Sequence, residues 1–205
     1  MVFHHVLDRV FSTWSHIAAL RVLQDSAVGM TGREISRLAG MTHRSCLKAL
    51  SELEEISIVN RLIGGRDHRF SLNREHILVT EGILPLLNLE RKLLQEVSEL
   101  LRKRLARYVQ GIILFGSVVR KTETTQSDLD VCLLIGKERE RETISNRVNT
   151  IAPQFRKRFG AGLSPFIIPV SDFRQRARAQ QPPMSEIIKE GVVIAGKTIR
   201  EILRG

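Results

Sequence analysis

Residues 115–131 read FGSVVRKTETTQSDLDV. Gly116-Ser117 follows the apolar run Ile112–Phe115, and two aspartates return ten residues later with one residue between them. The alternation Ser127-Asp128-Leu129-Asp130-Val131 predicts a strand, on which side chains i and i+2 share a face. Two like charges on one face repel, and a strand gains nothing from them unless a cation lies between. A phosphate chain needs backbone N–H groups at close range, and glycine offers the room and the dihedral freedom. The following serine adds a hydroxyl donor. Mg²⁺ takes hard oxygens, usually one or two carboxylates plus phosphates and water. Phosphoryl and nucleotidyl transfer are mainly positioning and charge neutralisation, so such a sparse set of groups can serve them. The plainer reading is a loop and strand whose aspartates cap turns or face solvent.

Gly116-Ser117, ten residues and Asp128-Leu129-Asp130 resemble the signature of the DNA polymerase beta-like nucleotidyltransferase superfamily, in the spacing of its minimal members. The resemblance spans roughly 109–205 and is concentrated in 112–135. It implies that Gly116 and Ser117 hold the nucleotide phosphates. Arg120 and Ser127 fall where such proteins often carry Arg and Ser, which adds them to the nucleotide-binding set. Asp128 and Asp130 would hold the divalent metal, Mg²⁺ or Mn²⁺, and be the catalytic carboxylates. Active members usually add a third carboxylate on a later strand, often as general base. Here the later run is GLSPFIIPV, with Ser164 about where that acid is expected. Asp172 reads as a helix N-cap, and Glu123 as a solvated loop residue. Metal and nucleotide binding are therefore better supported than turnover.

Toward the N-terminus, SHIAALRVLQDS has helical spacing, with Ser15 as the expected N-cap. TGREISRLAG follows: Thr31 and Glu34 have the form of a capping box, Ile35 and Leu38 supply the expected buried stripe, and Gly40 stops the helix. THRSCLKALSELEEI predicts a third helix with Cys46, Leu47, Leu50 and Leu53 inward. Two short helices joined at a glycine turn are a helix-turn-helix pattern. SIVNRLI and RFSLN around GGRDH predict a hairpin. This order resembles a winged helix-turn-helix domain over roughly residues 6–80. On that reading the start of the third helix presents Thr42, His43, Arg44, Ser45 and Lys48 to a DNA major groove. The wing residues Arg61, Arg66, His68 and Arg69 would meet phosphates or a minor groove. A protein-interaction module is the competing use. The six histidines are scattered, without metal-ligand spacing, and read as surface or wing residues.

A long helix is expected over 84–108, with a basic cluster Arg102-Lys103-Arg104 that reads as a solvated face; a heptad partner is the other reading. GIILFGS and DLDVCLLI predict strands, and KERERETISNRVNTIAPQF a polar-faced helix. SPFIIPV is too rich in proline for a central strand along its whole length, and FRQRARAQQ marks a loop or exposed basic helix. MSEIIKEGVVIAGKTIREIL predicts helix, short apolar segment, helix.

The chain has 205 residues and 42% hydrophobic composition, enough for two small cores. Its formal charge is +10, of which residues 1–80 carry +2 and the remainder +8. A basic balance favours nucleic acid, nucleotides or anionic lipid as partners. Cys46 and Cys132 fit neither a zinc motif nor a disulfide framework and read as buried free thiols. No apolar run has membrane-spanning length and the N-terminus lacks a signal-peptide layout, so a cytoplasmic, non-membrane protein is expected.

The sequence therefore predicts an α+β chain: a winged helix-turn-helix domain (1–82), a connecting helix (83–108) and a nucleotidyltransferase-fold α/β domain with a small mixed sheet (109–205). The resemblance implies a Mg²⁺-dependent transfer of a nucleoside monophosphate from a triphosphate to a protein, nucleic-acid or small-molecule acceptor, with an antitoxin-like role among the options. The alternative is a transcription regulator whose second domain binds nucleotide without catalysis. DNA, a nucleoside triphosphate and a protein acceptor are the expected partners, with a homodimer on analogy.

Overall fold

In the computed structural model, residues 4–64 and 67–204 are described. The chain divides into two compact units, Met1–Leu93 and Leu94–Gly205.

The first unit opens with α1 (Val6–Val10) and α2 (Trp14–Leu23). The N-cap of α2 is Thr13, whose hydroxyl accepts from His16 N–H, instead of the expected Ser15. Thr13 has the extended backbone a cap needs, and Ser15 lies inside the first turn. A two-residue strand β1 (Met30–Thr31) leads into α3 (Gly32–Leu38). Thr31 and Glu34 close the expected capping box in both directions. Gly40, at φ 64°, ends that helix. Then come α4 (His43–Glu55), β2 (Val59–Gly64) and β3 (Asp67–Leu72). The strand order is β1-β3-β2, antiparallel throughout. β1 went unpredicted because two residues carry no periodicity.

Ile35, Cys46, Leu50 and Leu53 share one core with Leu20, Leu23, Phe70 and Leu72. Two expected core residues are corrected: Leu38 is 61% and Leu47 40% exposed. Each lies on the flank of its helix stripe, and Leu47 borders an open cavity instead of the core. The histidine reading needs a correction as well. His16 is buried; its Nδ1 donates to the Arg9 carbonyl at 2.9 Å and its Nε2 lies 2.8 Å from Glu52 Oε2. An imidazole with both nitrogens partnered can enter a core that an unpaired one cannot.

A π-helical turn (Val79–Ile83) precedes α5 (Leu84–Leu105), and the division between units falls inside this helix. The second unit continues through a 3₁₀ turn (Ala106–Tyr108) to β4 (Gly111–Phe115), α6 (Gly116–Arg120) and β5 (Leu129–Ile135). α7 (Arg141–Phe159), β6 (Leu163–Pro169), α8 (Val170–Arg178), α9 (Met184–Glu190), β7 (Val192–Gly196) and α10 (Ile199–Arg204) complete it. The sheet order is β6-β5-β4-β7, with β6 parallel to β5 and the other pairs antiparallel. β6 is an edge strand, where the missing N–H groups of Pro165 and Pro169 are tolerated. β5 is buried except at Asp130, which is partly exposed, because helices cover both faces of the sheet. Leu129, Val131, Leu133 and Ile135 pack with Leu101, Leu105, Val148 and Phe155 on one side. Cys132 and Leu134 pack with Phe173, Met184, Ile187 and Ile202 on the other. The alternation of β5 thus sets which side Asp130 faces: that of Cys132.

Candidate functional site

The site is built where β4 turns into α6. Phe115 is extended, and Gly116 follows at φ 77°. That conformation is strained for any residue with a β-carbon. Space imposes the same restriction, since a β-carbon at Gly116 would overlap the Asp130 carboxylate. Asp130 pairs with Phe115 across the β4–β5 ladder and with Ser164 across the β5–β6 ladder. The second carboxylate therefore rests against the backbone of the Gly-Ser turn. A side chain at residue 116 would displace the Asp130 carboxylate from the turn.

Asp128 lies just before β5, which starts at Leu129, so the strand begins later than the sequence predicts. Its Oδ1 accepts from Gly162 N–H at 3.1 Å and stands 3.7 Å from an Arg156 guanidinium nitrogen. Leu129 N–H donates to the Gly162 carbonyl at 2.9 Å, so the approach to β6 pins both neighbours. A β-carbon at Gly162 would overlap Asp128 Oδ1. Both side chains of the Arg156–Asp128 pair are more than half exposed, so the pair adds little stability and leaves the carboxylate available.

The remaining predicted nucleotide ligands are placed as follows. Ser117 is half-buried in the first turn of α6. Ser127 Oγ accepts from Thr124 N–H at 2.9 Å, closing the loop ahead of Asp128. Arg120, at the end of α6, is ion-paired with Glu190 and, at 3.4 Å, with Glu186, both on α9. The hydrogen bond to Glu190 is the larger influence holding this guanidinium above the usual arginine range. Arg120 thus ties α6 to α9, a contact the sequence reading missed because the acids lie 66 and 70 residues away.

Ser164 sits beside Asp130 in register, is exposed, and occupies the neighbouring-strand position facing the same way. Asp172 does not cap α8: the N-cap is Pro169, and Asp172 lies in the first turn, accepting from Ser171 Oγ. Proline's fixed extended backbone starts the helix one turn earlier than the acid suggested. Glu123 is exposed. No group of three or more His, Cys, Asp or Glu suited to a metal occurs among the described residues. The two carboxylates nevertheless fit one hard cation completed by phosphate and water. They are hard oxygen donors separated by one residue, and the Asp128 side chain is about half exposed, which is the donor chemistry such a cation takes.

In the first unit, Thr42 caps α4: its Oγ1 accepts from Ser45 N–H at 3.2 Å and donates to Ser45 Oγ at 2.9 Å. Arg44 and Lys48 lie one turn apart and exposed, with Lys48 Nζ 3.8 Å from Glu52. His43 borders an open cavity of about 430 Å³ with Arg33, Leu47, Arg61 and His68. Arg69 donates to the Gly29 carbonyl at 3.0 Å, and Arg61 is paired with Glu54 at 2.6 Å. Arg66 lies outside the described residues. Among the described residues no helix is long and apolar enough to cross a membrane.

A family model described as a nucleotidyltransferase domain matches residues 90–194, just over half of the chain. Among solved structures, the chain is similar to one described as the crystal structure of a toxin-antitoxin with AMP-PNP. That match has 16% identity, covers 53% of this chain and 76% of the other, and has a TM-score of 0.35. It is also similar to MepR, a transcription regulator of the Staphylococcus aureus multidrug efflux pump MepA. There the identity is 19%, the coverage 50% of this chain and 81% of the other, and the TM-score 0.36. No curated protein matches the chain.

Proposed function

Because the chain belongs to the nucleotidyltransferase-domain family, we propose that its second unit binds a Mg²⁺– or Mn²⁺–nucleoside triphosphate at the β4–α6 turn and transfers the nucleoside monophosphate to an acceptor. The observation that carries this reading is the glycine at 116, favoured there by its φ of 77° and by the Asp130 carboxylate lying where a β-carbon would be. A fold that keeps a carboxylate pressed against a bare turn supports a phosphate-and-cation site better than it supports a structural turn.

On this reading, Gly116 and Ser117 offer backbone N–H and hydroxyl donors to the outer phosphate oxygens. Asp128 and Asp130 hold the cation. Gly162 N–H fixes one oxygen of Asp128, which aims the other. Arg120 positions α6 through Glu186 and Glu190, and Ser127 holds the loop that presents Asp128. The bound cation would supply charge neutralisation at the phosphates and acidify an attacking hydroxyl. The test is incubation with α-labelled ATP, GTP, CTP and UTP and Mg²⁺ or Mn²⁺, with the protein itself, nucleic acid and small molecules as acceptors. Label transfer that disappears in Asp128→Asn is expected. No transfer with any nucleotide would reject catalysis.

A second reading has its own support: Ser164 stands beside Asp130 where a third carboxylate would complete the set. A unit that binds triphosphate without turnover would then act as a nucleotide sensor, and binding without label transfer distinguishes it. In either case we read residues 1–82 as a winged helix-turn-helix head that binds DNA. Arg44 and Lys48 on α4 would meet base edges or phosphates, Thr42 and Ser45 would fix the helix start, and His43 and Arg69 would lie on the flank and wing.

A further inference from the structure

The cluster Arg102-Lys103-Arg104 reads in the sequence as a solvated helix face, but the fold adds to it. Lys103, Arg104 and Arg107, from the end of α5 and the turn after it, line an open cavity of about 280 Å³ with Arg147 and Thr150 of α7. Among the described residues no acidic side chain borders this cavity. The Arg147 guanidinium lies 3.4 Å from the centroid of the Tyr108 ring, and that of Arg107 lies 4.6 Å from it, so one aromatic ring is in contact with two cations. Arg147 Nε is buried without a hydrogen-bond partner. Other arginines of this unit are neutralised in place: Arg120 by Glu186 and Glu190, Arg141 by Glu138, Arg158 by Glu96. Four cations gathered around a cavity whose lining carries no acid repel one another, and a fold that stacks two of them on one tyrosine keeps them together at a cost.

We propose that this α5–α7 groove is a binding site for phosphate oxyanions, and that its ligand is the sugar–phosphate backbone of a nucleic-acid strand. Phosphate matches the donor set, since arginine presents a planar fork to phosphate oxygens and lysine a point charge. The backbone of a polymer matches the shape. Lys103, Arg104 and Arg107 are exposed, and sites for small molecules bury most of their ligand, whereas a backbone needs only a charged track. A neighbouring cavity of about 230 Å³ shares Lys103 and Arg104 and extends along the two helices to Gln154 and Arg158, where Glu96 and Glu99 enter the lining. The strand therefore sits at the Arg107–Arg147 end and stops short of those acids. The groove lies against the sheet face covered by α5 and α7, whereas Asp130 faces the other side. It is thus separate from the nucleotide site, and the inference does not rest on the transferase reading.

The test uses the full chain in an Arg44→Ala, Lys48→Ala background, which silences the first unit's own proposed DNA contacts. Fluorescence anisotropy with a labelled 20-nucleotide single strand, RNA and DNA in turn, is followed across a salt series. Replacing Lys103, Arg104 and Arg107 together by alanine is expected to weaken binding about tenfold or more and to flatten the salt dependence by two to three counterions' worth of slope. The same variant should keep the triphosphate affinity of its parent. Replacing Arg176, Arg178 and Lys189, cations elsewhere in the unit, should leave strand binding unchanged. Equal loss in both triple variants, or none in the first, overturns the proposal. Inorganic tripolyphosphate at matched ionic strength displacing the strand completely would identify a small-anion site and overturn the polymer assignment.

Discussion

Gly116 bears two independent demands, a left-handed backbone and an absent β-carbon. Gly116→Ala is expected to cost about 1–2 kcal/mol from the backbone alone and to push Asp130 out of the turn. Denaturant unfolding and triphosphate titration of the same variant measure the two effects; unchanged triphosphate affinity would remove residue 116 from the site. Ser164 supports the reverse experiment. Because it pairs with Asp130 in the parallel ladder, Ser164→Asp should add a third oxygen ligand and raise Mn²⁺ affinity about tenfold, since carboxylate count tunes divalent-cation sites. Equal Mn²⁺ affinity in the two proteins would mean that the position lies out of reach. The sequence showed the pair of acids and the glycine because their chemistry is local. It could not show Arg156 or the Gly162 N–H on Asp128, nor the grip of α9 on Arg120, because those contacts join residues 28 to 70 positions apart. The glycine before the run LSPFIIP was the one available hint of the Asp128 contact.

At the scale of elements, the capping box at the start of α3 was legible because its partners are three residues apart, and both halves form. Thr31→Ala is expected to destabilise the first unit by about 1 kcal/mol, read by chemical denaturation. Glu34 is held below the usual carboxylate range, first by the Thr31 backbone N–H and then by its hydroxyl. A depressed folded value means the contribution is present above the ordinary carboxylate range and is lost as pH falls through the folded one. The penalty of Thr31→Ala should therefore shrink in acid, and a penalty independent of pH would show that the reciprocal half of the box contributes nothing. On α4, Arg44 is exposed and free of the capping bonds that occupy Thr42 and Ser45. Arg44→Ala should weaken DNA binding selectively by sequence, checked by anisotropy against varied sites; a uniform loss would make it a phosphate contact. The inward Leu38 and Leu47 were misread because a helical stripe does not reveal how wide the facing surface is.

Across the molecule, each unit encloses one thiol, Cys46 in the first and Cys132 in the second. Burial pushes the Cys46 thiol up to about 11 and Cys132 up to about 12. A raised thiol value favours the fold below the ordinary thiol range near 8.5, and that contribution is lost as pH climbs through 11 and 12. In native protein at pH 8 both thiols should resist disulfide exchange reagents. Leu50→Ala, a core deletion worth about 2–5 kcal/mol, should speed labelling of Cys46 while leaving Cys132 protected; equal acceleration of both would mean that the units open together. Most of the element order of both units was readable from periodicity and turn residues, but the short elements α1, β1 and α6 were not. Sheet order was not: β6 lies parallel to β5 at an edge and β7 closes the other edge, arrangements fixed by helices packing on both faces. The account as a whole is tested most directly by titrating Mn²⁺, followed by electron paramagnetic resonance, into the protein with a non-hydrolysable triphosphate. Wild type should take up the ion only when triphosphate is present, and Asp128→Asn with Asp130→Asn should abolish the uptake. Identical uptake by the double variant, or none by wild type with any of the four nucleotides, would contradict it.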